Sequence, residues 1–260
     1  MSLAKRLLID GDQFLFTATA AIEHEVKWDD QNHILFSNVE QAWGNLVGMI
    51  TRIFERFETE RHFLCFSDTY GAAPNFRLGI DATYKNHRAG SRKPMCYAAL
   101  RERVENHYAC TKFPGLEADD VMGIIATQPS QKHHSIIVSQ DKDMKTIPCT
   151  VWNGKDLVTY SEAEADYWHM YQTLIGDTAD GYKGCPGVGP VKATKLLSTP
   201  DGCGDYGCCD ANPALWNRVV DVYRKAGLTE ANALTQARLA RILRWSDWDH
   251  EKKEPILWTP

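Results

Sequence analysis

Apolar and polar positions along the chain follow two rhythms. Short unbroken apolar runs at 5–10 (KRLLID), 62–68 (HFLCFSD) and 134–141 (HSIIVSQD) read as buried strands, and each closes on an acid: Asp10, Asp68 and Asp141. Residues 38–57 carry the helical rhythm, with Val39, Trp43, Leu46, Val47, Ile50, Ile53, Phe54 and Phe57 on one face. A second helix is predicted over 117–127, where Val121, Met122, Ile124 and Ile125 recur behind the turn-forming Pro114-Gly115. Ser161 and Glu164 spell a capping box that opens a helix running to about Ile175. Helical patterns also occupy 190–198, 213–226 and 229–244, and no internal repeat or low-complexity linker interrupts them.

Strands alternating with helices predict an α/β fold around a mostly parallel sheet. Ligands of such sheets bind at the carboxyl ends of the strands. The three strand-end acids should therefore converge on one edge, where the first turn of the 117–127 helix also arrives. That turn carries Glu117, Asp119 and Asp120. A helix N-terminus, with about half a positive charge, tolerates one or two acids. Three beside a buried face repel and raise one another's pKa. One such acid alone reads as a cap or turn residue, but the set does not. Asp143, Asp177 and Asp180 bring the candidates to nine.

So many carboxylates in one cleft need cations, and hard oxygen ligands suit Mg²⁺ or Mn²⁺. Two such ions about 4 Å apart clamp a phosphodiester and activate water for in-line attack. These motifs hold no conspicuous His or Ser as base or nucleophile, which fits a water activated by metal. Asp119 and Asp120 are expected nearest the metal, and Glu117 to act through bound water.

Composition changes this picture in two ways. The 260-residue chain, 43% hydrophobic, reads as ordinary globular protein, long enough for one large domain or a domain with an appendage. No apolar run approaches the roughly 20 residues of a membrane span, and MSLAKRLLIDGD does not read as a signal peptide. Its eight scattered cysteines suit a reducing cytoplasm. The dense patch CGDYGCC at 203–209 raises a zinc site of Cys203, Cys208, Cys209 and Cys185; lacking a C-x₂-C pair and a nearby His, it reads better as a Gly-rich loop. The net charge of −5 argues against nucleic acid, but without the nine acids 29 basic residues face 25 acidic ones, a balance of +4. The basic residues also cluster. Lys85, Arg88, Arg92, Lys93, Arg101 and Arg103 stand against the single acid Glu102, interleaved with Tyr84, His87 and Tyr97. That mixture suits phosphates and unstacked bases, against the plainer reading of a solvated basic face. Gly187-Val188-Gly189-Pro190 forms a tight turn into a helix start, and Lys192 and Lys195 follow, a sequence-independent grip on a phosphate backbone.

The ordered set of strand-Asp10, FSD68, Y84-K-x-x-R88, PG-x-E117-A-D-D120, SQD141-K-D143, GD177-x-x-D180 and GVGP resembles the 5′-nuclease superfamily, over roughly 5–198. That superfamily includes flap endonucleases and the 5′ nuclease domain of bacterial DNA polymerase I. ARILRW (240–245) and the terminal ILWTP look most like the replication-associated 5′→3′ exonucleases of T-odd short-tailed lytic phages.

The resemblance implies a PIN-like core over 1–160 with a helical arch at about 86–112. It implies a helix-three-turn-helix motif and C-terminal helices over 161–260. It assigns Asp10, Asp68, Glu117, Asp119 and Asp120 to a first metal position, and Asp141, Asp143, Asp177 and Asp180 to a second. Lys85 and Arg88 would hold the scissile phosphate, and Tyr84 would offer its ring to a base. Arg92, Lys93, Arg101, Arg103, Gly187, Gly189, Lys192 and Lys195 would contact DNA. K⁺ is implied at the 184–189 hairpin. The implied substrate is DNA with a 5′ end, as duplex, flap or RNA–DNA hybrid, met in primer removal and host DNA degradation in a bacterial cytoplasm; no membrane or small-molecule cofactor is implied.

Three features depart from the family pattern. Gln140 replaces a small residue, an insertion reshapes 180–187, and 199–212 is short and rich in Cys and Gly. Three other readings compete. Flap endonuclease differs only in emphasis. A haloacid-dehalogenase-type phosphatase would use the D-x-D of LLIDGD, but leaves EADD, Tyr84–Arg88 and GVGP unexplained. A non-catalytic DNA-end binder would have no use for the acids.

Overall fold

The computed structural model describes residues 5–69, 73–88, 90–131, 134–198 and 212–260. The first half of the chain builds a sheet. Its elements are β1 (Arg6–Asp10), α1 (Gly11–Ala20), the hairpin β2 (His24–Lys27) and β3 (His33–Phe36), α2 (Val39–Phe57) and β4 (His62–Cys65). Then come α3 (Tyr97–His107), β5 (Cys110–Thr111), α4 (Ala118–Ala126), β6 (Ser135–Val138), β7 (Thr150–Trp152) and β8 (Leu157–Thr159). The second half is α5 (Glu162–Ile175), α6 (Pro190–Leu197), α7 (Asn212–Lys225) and α8 (Glu230–Ala240), closed by the short pair β9 (Trp248–Asp249) and β10 (Glu254–Pro255).

The sheet order is β5-β4-β1-β6-β7-β8, parallel throughout except for β8. This is the mostly parallel α/β arrangement that the apolar runs predict. Side chains of a strand alternate between faces. Leu7 and Ile9 of β1 pack with Phe14, Leu46, Ile50, Leu100 and Val104 beneath α1, α2 and α3. Leu8 packs on the other face with Val121, Met122, Ile124 and Ile137 beneath α4. A third core around Met170, Leu174, Val219, Tyr223, Ala233 and Ala237 joins α5–α8. The Ser161–Glu164 capping box forms as read, with Glu164 N–H donating to Ser161 Oγ at 3.2 Å. Among the described residues no helix is long and apolar enough to cross a membrane.

Within 86–112, read as an arch, Asn86–Arg88 form a 3-10 turn, α3 buries Tyr97, Leu100 and Val104 in the first core and β5 extends the sheet. The apolar spacing of those three residues matched a covered face of the sheet. The helix read over 229–244 stops at Ala240, because Arg241 turns extended (φ −71°, ψ 114°). The chain then runs back under α4, where Ile242, Leu243 and Trp248 join the second core. Buried polar partners, described below, outweigh helix propensity there.

This return path needs Gly123. A Cβ there would collide with the carbonyl oxygen of Leu243. Gly123→Ala is expected to lower stability by about 1–3 kcal/mol through overpacking, read as a drop in the thermal unfolding midpoint. An unchanged midpoint would show that the contact gives way freely.

Candidate metal centre and nucleic-acid interface

Glu117 N-caps α4, and its first turn presents Asp119 and Asp120. Carboxylate oxygens of all three lie within 4.8 Å of one another. Their partners divide them. Glu117 Oε1 accepts from Lys85 Nζ at 2.5 Å, and Oε2 from Arg77 at 3.2 Å and the Tyr84 hydroxyl at 3.0 Å. Burial pushes the Glu117 carboxyl up, but Lys85 and Arg77 outweigh it and hold it down to about 2. Asp119 faces the opposite balance: burial, then the charges of Asp120 and Glu117, raise it well above the usual range.

Asp120 is fully buried and saturated. Its Oδ2 accepts from Arg77 at 2.6 Å and Glu117 N–H at 3.3 Å; its Oδ1 accepts from Arg77 at 2.8 Å and Leu243 N–H at 3.1 Å. Four bonds on two oxygens use the lone pairs a carboxylate has. Asp120, expected with Asp119 nearest a metal, thus has its oxygens engaged by Arg77 and the backbone, while Glu117 and Asp119 are the two of the three that are partly exposed.

The second group faces this one. Asp180 lies 3.2 Å from Lys85 Nζ, so one ammonium bridges Glu117 and Asp180. The Tyr84 hydroxyl spans the same pair, at 3.1 Å from Asp180 Oδ2. Tyr84 is 4% exposed, which removes its ring as a stacking surface for a base; only its hydroxyl reaches the site. Lys85 sits in the left-handed region (φ 53°) with its N–H on Asp180 O at 3.0 Å. Gly181 (φ 82°) permits that approach, since a Cβ there would crowd Lys85 N at 3.3 Å. Arg88, half exposed, donates to Ala179 O at 2.6 Å and Asp180 Oδ1 at 3.1 Å.

Asp141 caps the 3-10 turn Lys142–Thr146, accepting from Asp143 N–H at 2.8 Å. Asp143 takes a hydrogen bond from Gln172 of α5. Burial, then Asp141, pushes its carboxyl up to about 7. Asp177 pairs with Lys142 at 2.7 Å, and that ammonium, against burial, keeps it below the usual range. The stretch 177–182 folds back tightly, with Asp177 and Tyr182 paired backbone to backbone. Asp10 N-caps α1 and accepts from Ser139 Oγ at 2.9 Å; burial raises it to about 6. Asp68 stands at the rim, its backbone tied to Gly115 and Leu116, with Lys112 at 3.8 Å. The donor set is all oxygen, with the carboxyls of Asp10, Asp119 and Asp143 pushed up chiefly by burial, and it fits hard divalent cations.

The expected DNA contacts sort unevenly. Arg92 is bidentate on Glu23 at 2.8 and 2.6 Å, and Arg103 pairs with Glu40 at 2.7 Å. Lys93 Nζ lies 4.1 Å over the Tyr97 ring. Arg101 stacks 3.6 Å over Phe66 and meets Asp12 and Glu105. Tyr97, interleaved among those cations, thus seats one of them. Gly187, Gly189, Lys192 and Lys195 are exposed around the start of α6. Lys192 Nζ donates to Gly187 O at 3.1 Å, which puts an ammonium on a carbonyl expected to face K⁺. Gln140, the departure from the family's small residue, is exposed and its N–H meets Gln13 Oε1 at 3.0 Å. Of the suggested zinc ligands, Cys203, Cys208 and Cys209 lie outside the described residues, and Cys185 is buried.

Sequence reasoning missed Arg77, Asp12, Gln172 and Lys142. Arg77 gave one signal, a lone charge inside the apolar FRLGI. Asp12 was overshadowed by Asp10; its oxygens accept from Ser67 N–H at 2.8 Å and the Tyr97 hydroxyl at 2.7 Å.

A family model described as 5′-3′ exonuclease, N-terminal resolvase-like domain, matches residues 5–167. The chain is 33% identical to the exodeoxyribonuclease of Enterobacteria phage T3, over 98% of this chain and 92% of that protein. It is 32% identical to the exonuclease of Escherichia phage T7, over 98% and 93%. Among solved structures it is similar in fold to the bacteriophage T5 flap endonuclease in a complex with DNA and metal ions. That likeness has a TM-score of 0.56 and 14% identity, over 91% of this chain and 93% of the other.

The raised acids make stability fall as pH rises. Asp143, ordinarily at 3.8, ionises in the unfolded chain near pH 4 but in the folded one only near 7. Its contribution is fully present below about pH 4 and lost as pH rises through about 7. Asp143→Asn is therefore expected to raise the metal-free unfolding midpoint little at about pH 4 and by several degrees at about pH 8. The same variant should lose most of the stabilisation that Mg²⁺ gives the parent. A difference that shrinks with rising pH contradicts this.

Proposed function

The chain belongs to the 5′-3′ exonuclease family, and from that membership we propose that it hydrolyses phosphodiester bonds at 5′ ends of DNA with divalent metal ions. The observation that carries the reading is the pair of facing acid groups spanned by Lys85. Glu117 and Asp119 offer one wall, and Asp141, Asp143, Asp177 and Asp180 the other, with Asp10 and Asp68 at the rims. The ions assigned here are two Mg²⁺ or Mn²⁺, which when bound neutralise the acids, draw in the phosphate and ease loss of a proton from attacking water.

The chain's own residues do the remainder. Lys85 and Arg88 stand on Asp180, where their charges meet the non-bridging oxygens of the scissile phosphate and stabilise charge as it develops. The Tyr84 hydroxyl holds Glu117 and Asp180 in register. Asp120 acts through Arg77 rather than on the metal. The exposed glycines and lysines at the start of α6 grip the duplex backbone away from the cut, without reading sequence.

Duplex DNA digested from its 5′ end is the favoured substrate. The phage relatives that match nearly the whole chain are named exonucleases, whereas the likeness to a flap endonuclease is one of fold. Such an activity suits primer removal and breakdown of host DNA.

The reading is tested with 5′-labelled duplex and Mg²⁺. Asp141→Asn and Asp143→Asn should each slow release about 10²-fold or more while leaving DNA binding in Ca²⁺ intact. Undiminished release in both would remove the metal assignment.

A further inference from the structure

Residues 239–247 include ARILRW, which the proposed chemistry does not use. They run from the end of α8 beneath the site and make buried polar contacts with an acid of the first group and with the turn that carries Asp143 of the second. At the first group the contact is Arg77, 1% exposed. Besides Asp120 and Glu117, its guanidinium donates to Leu239 O at 3.1 Å and Arg241 O at 2.7 Å. All five N–H groups of the fork therefore have acceptors. Leu243 N–H completes the link by donating to Asp120. Trp245 N–H reaches Thr127 Oγ1 at 2.7 Å, at the far end of α4.

At the second group the contact is Arg244. It donates to Thr146 O at 3.1 Å, the last residue of the turn that carries Asp143. It also pairs with Asp166 of α5 at 2.7 Å. Arg241 Nε and Arg244 N–H both donate to Asp247 Oδ2, at 2.7 and 3.0 Å, which closes the segment on itself.

We infer that Leu239–Asp247 is a strap that sets the spacing between the two acid groups, with Arg77 and Arg244 as its positioning residues. The inference rests on the metal-site reading above. The two groups repel and ride on separate elements, α4 and the 142–146 turn. A buried guanidinium bonded to each element limits how far the two can part. At Arg77 lysine keeps the charge but offers three donors where five are filled; at Arg244, whose Nη2 makes both contacts and whose buried Nε has no partner, lysine keeps the charge but loses the planar reach to Thr146 O and Asp166. Groups behind metal ligands typically govern metal affinity and activity by 10–100-fold.

The test is Arg77→Lys and Arg244→Lys, measured well below each variant's unfolding midpoint. Mn²⁺ binding is followed by calorimetry, and hydrolysis of duplex DNA by kcat and KM. Folded variants are expected to bind Mn²⁺ roughly tenfold or more weakly and to lose kcat by a similar factor. KM for DNA should stay within about twofold, and raised Mn²⁺ should restore much of the rate. Should Arg77→Lys fail to fold, Arg244→Lys, at the strap's outer end, decides. Parental Mn²⁺ affinity and kcat in the folded variants overturn the strap. A parent protein that binds no Mn²⁺ overturns the metal-site reading instead.

Discussion

A fully buried guanidinium facing a fully buried carboxylate holds the chain's late segment against the helix that opens the acid cluster. Burying such a pair costs several kcal/mol per ion, and the attraction repays this only where the remaining donors and acceptors are also satisfied. Here they are: the five donors of Arg77 and the two oxygens of Asp120 are met by each other, Glu117, and backbone groups of 117, 239, 241 and 243. Removing either partner leaves an uncompensated charge in the core. The arrangement also accounts for why three acids can share one helix turn. One is paired with Arg77 inside the protein, one is held down by Lys85 and Arg77, and at Asp119 burial and the two neighbouring acids outweigh the same cations.

Much of the frame was legible in the residues. β1, β4 and β6 are apolar runs whose burial on both faces needs no partner to predict, and their exits place acids at one edge. α2 and α5 announced themselves by spacing and by Ser161. What stayed illegible depends on pairing across long separations. Arg77 looks like any arginine until Leu239 and Arg241 are beside it, about 160 residues on. ARILRW has good helix formers, and only its backbone bonds to Arg77 and Asp120 keep it extended. Tyr84 and Arg101 carry polar tips on large apolar bodies, so their burial could not be read from type. The β2–β3 hairpin lacks an alternating buried face: of its eight residues only Leu35 is even half-buried.

The nucleic-acid side divides by depth. Near the acids, Lys85 and Arg88 are held by Asp180 and by a backbone conformation that Gly181 allows. Far from them, Lys192 and Lys195 ride on a helix start open to solvent. Between the two, Arg92, Arg101 and Arg103 are tied to Glu23, Asp12, Glu105 and Glu40, so a phosphate arriving there must compete with an existing carboxylate. Basic composition therefore overstates the surface on offer.

The strap has a consequence in the order of synthesis. A nascent chain that has emerged only through α7 already holds Asp10, Glu117, Asp119, Asp143 and Asp180, together with Lys85 and Arg88. It lacks the carbonyls of Leu239 and Arg241 and the N–H of Leu243. Arg77 then has two empty donors beside a core that cannot close over it. The acid cluster is thus completed by a stretch made well after the acids themselves.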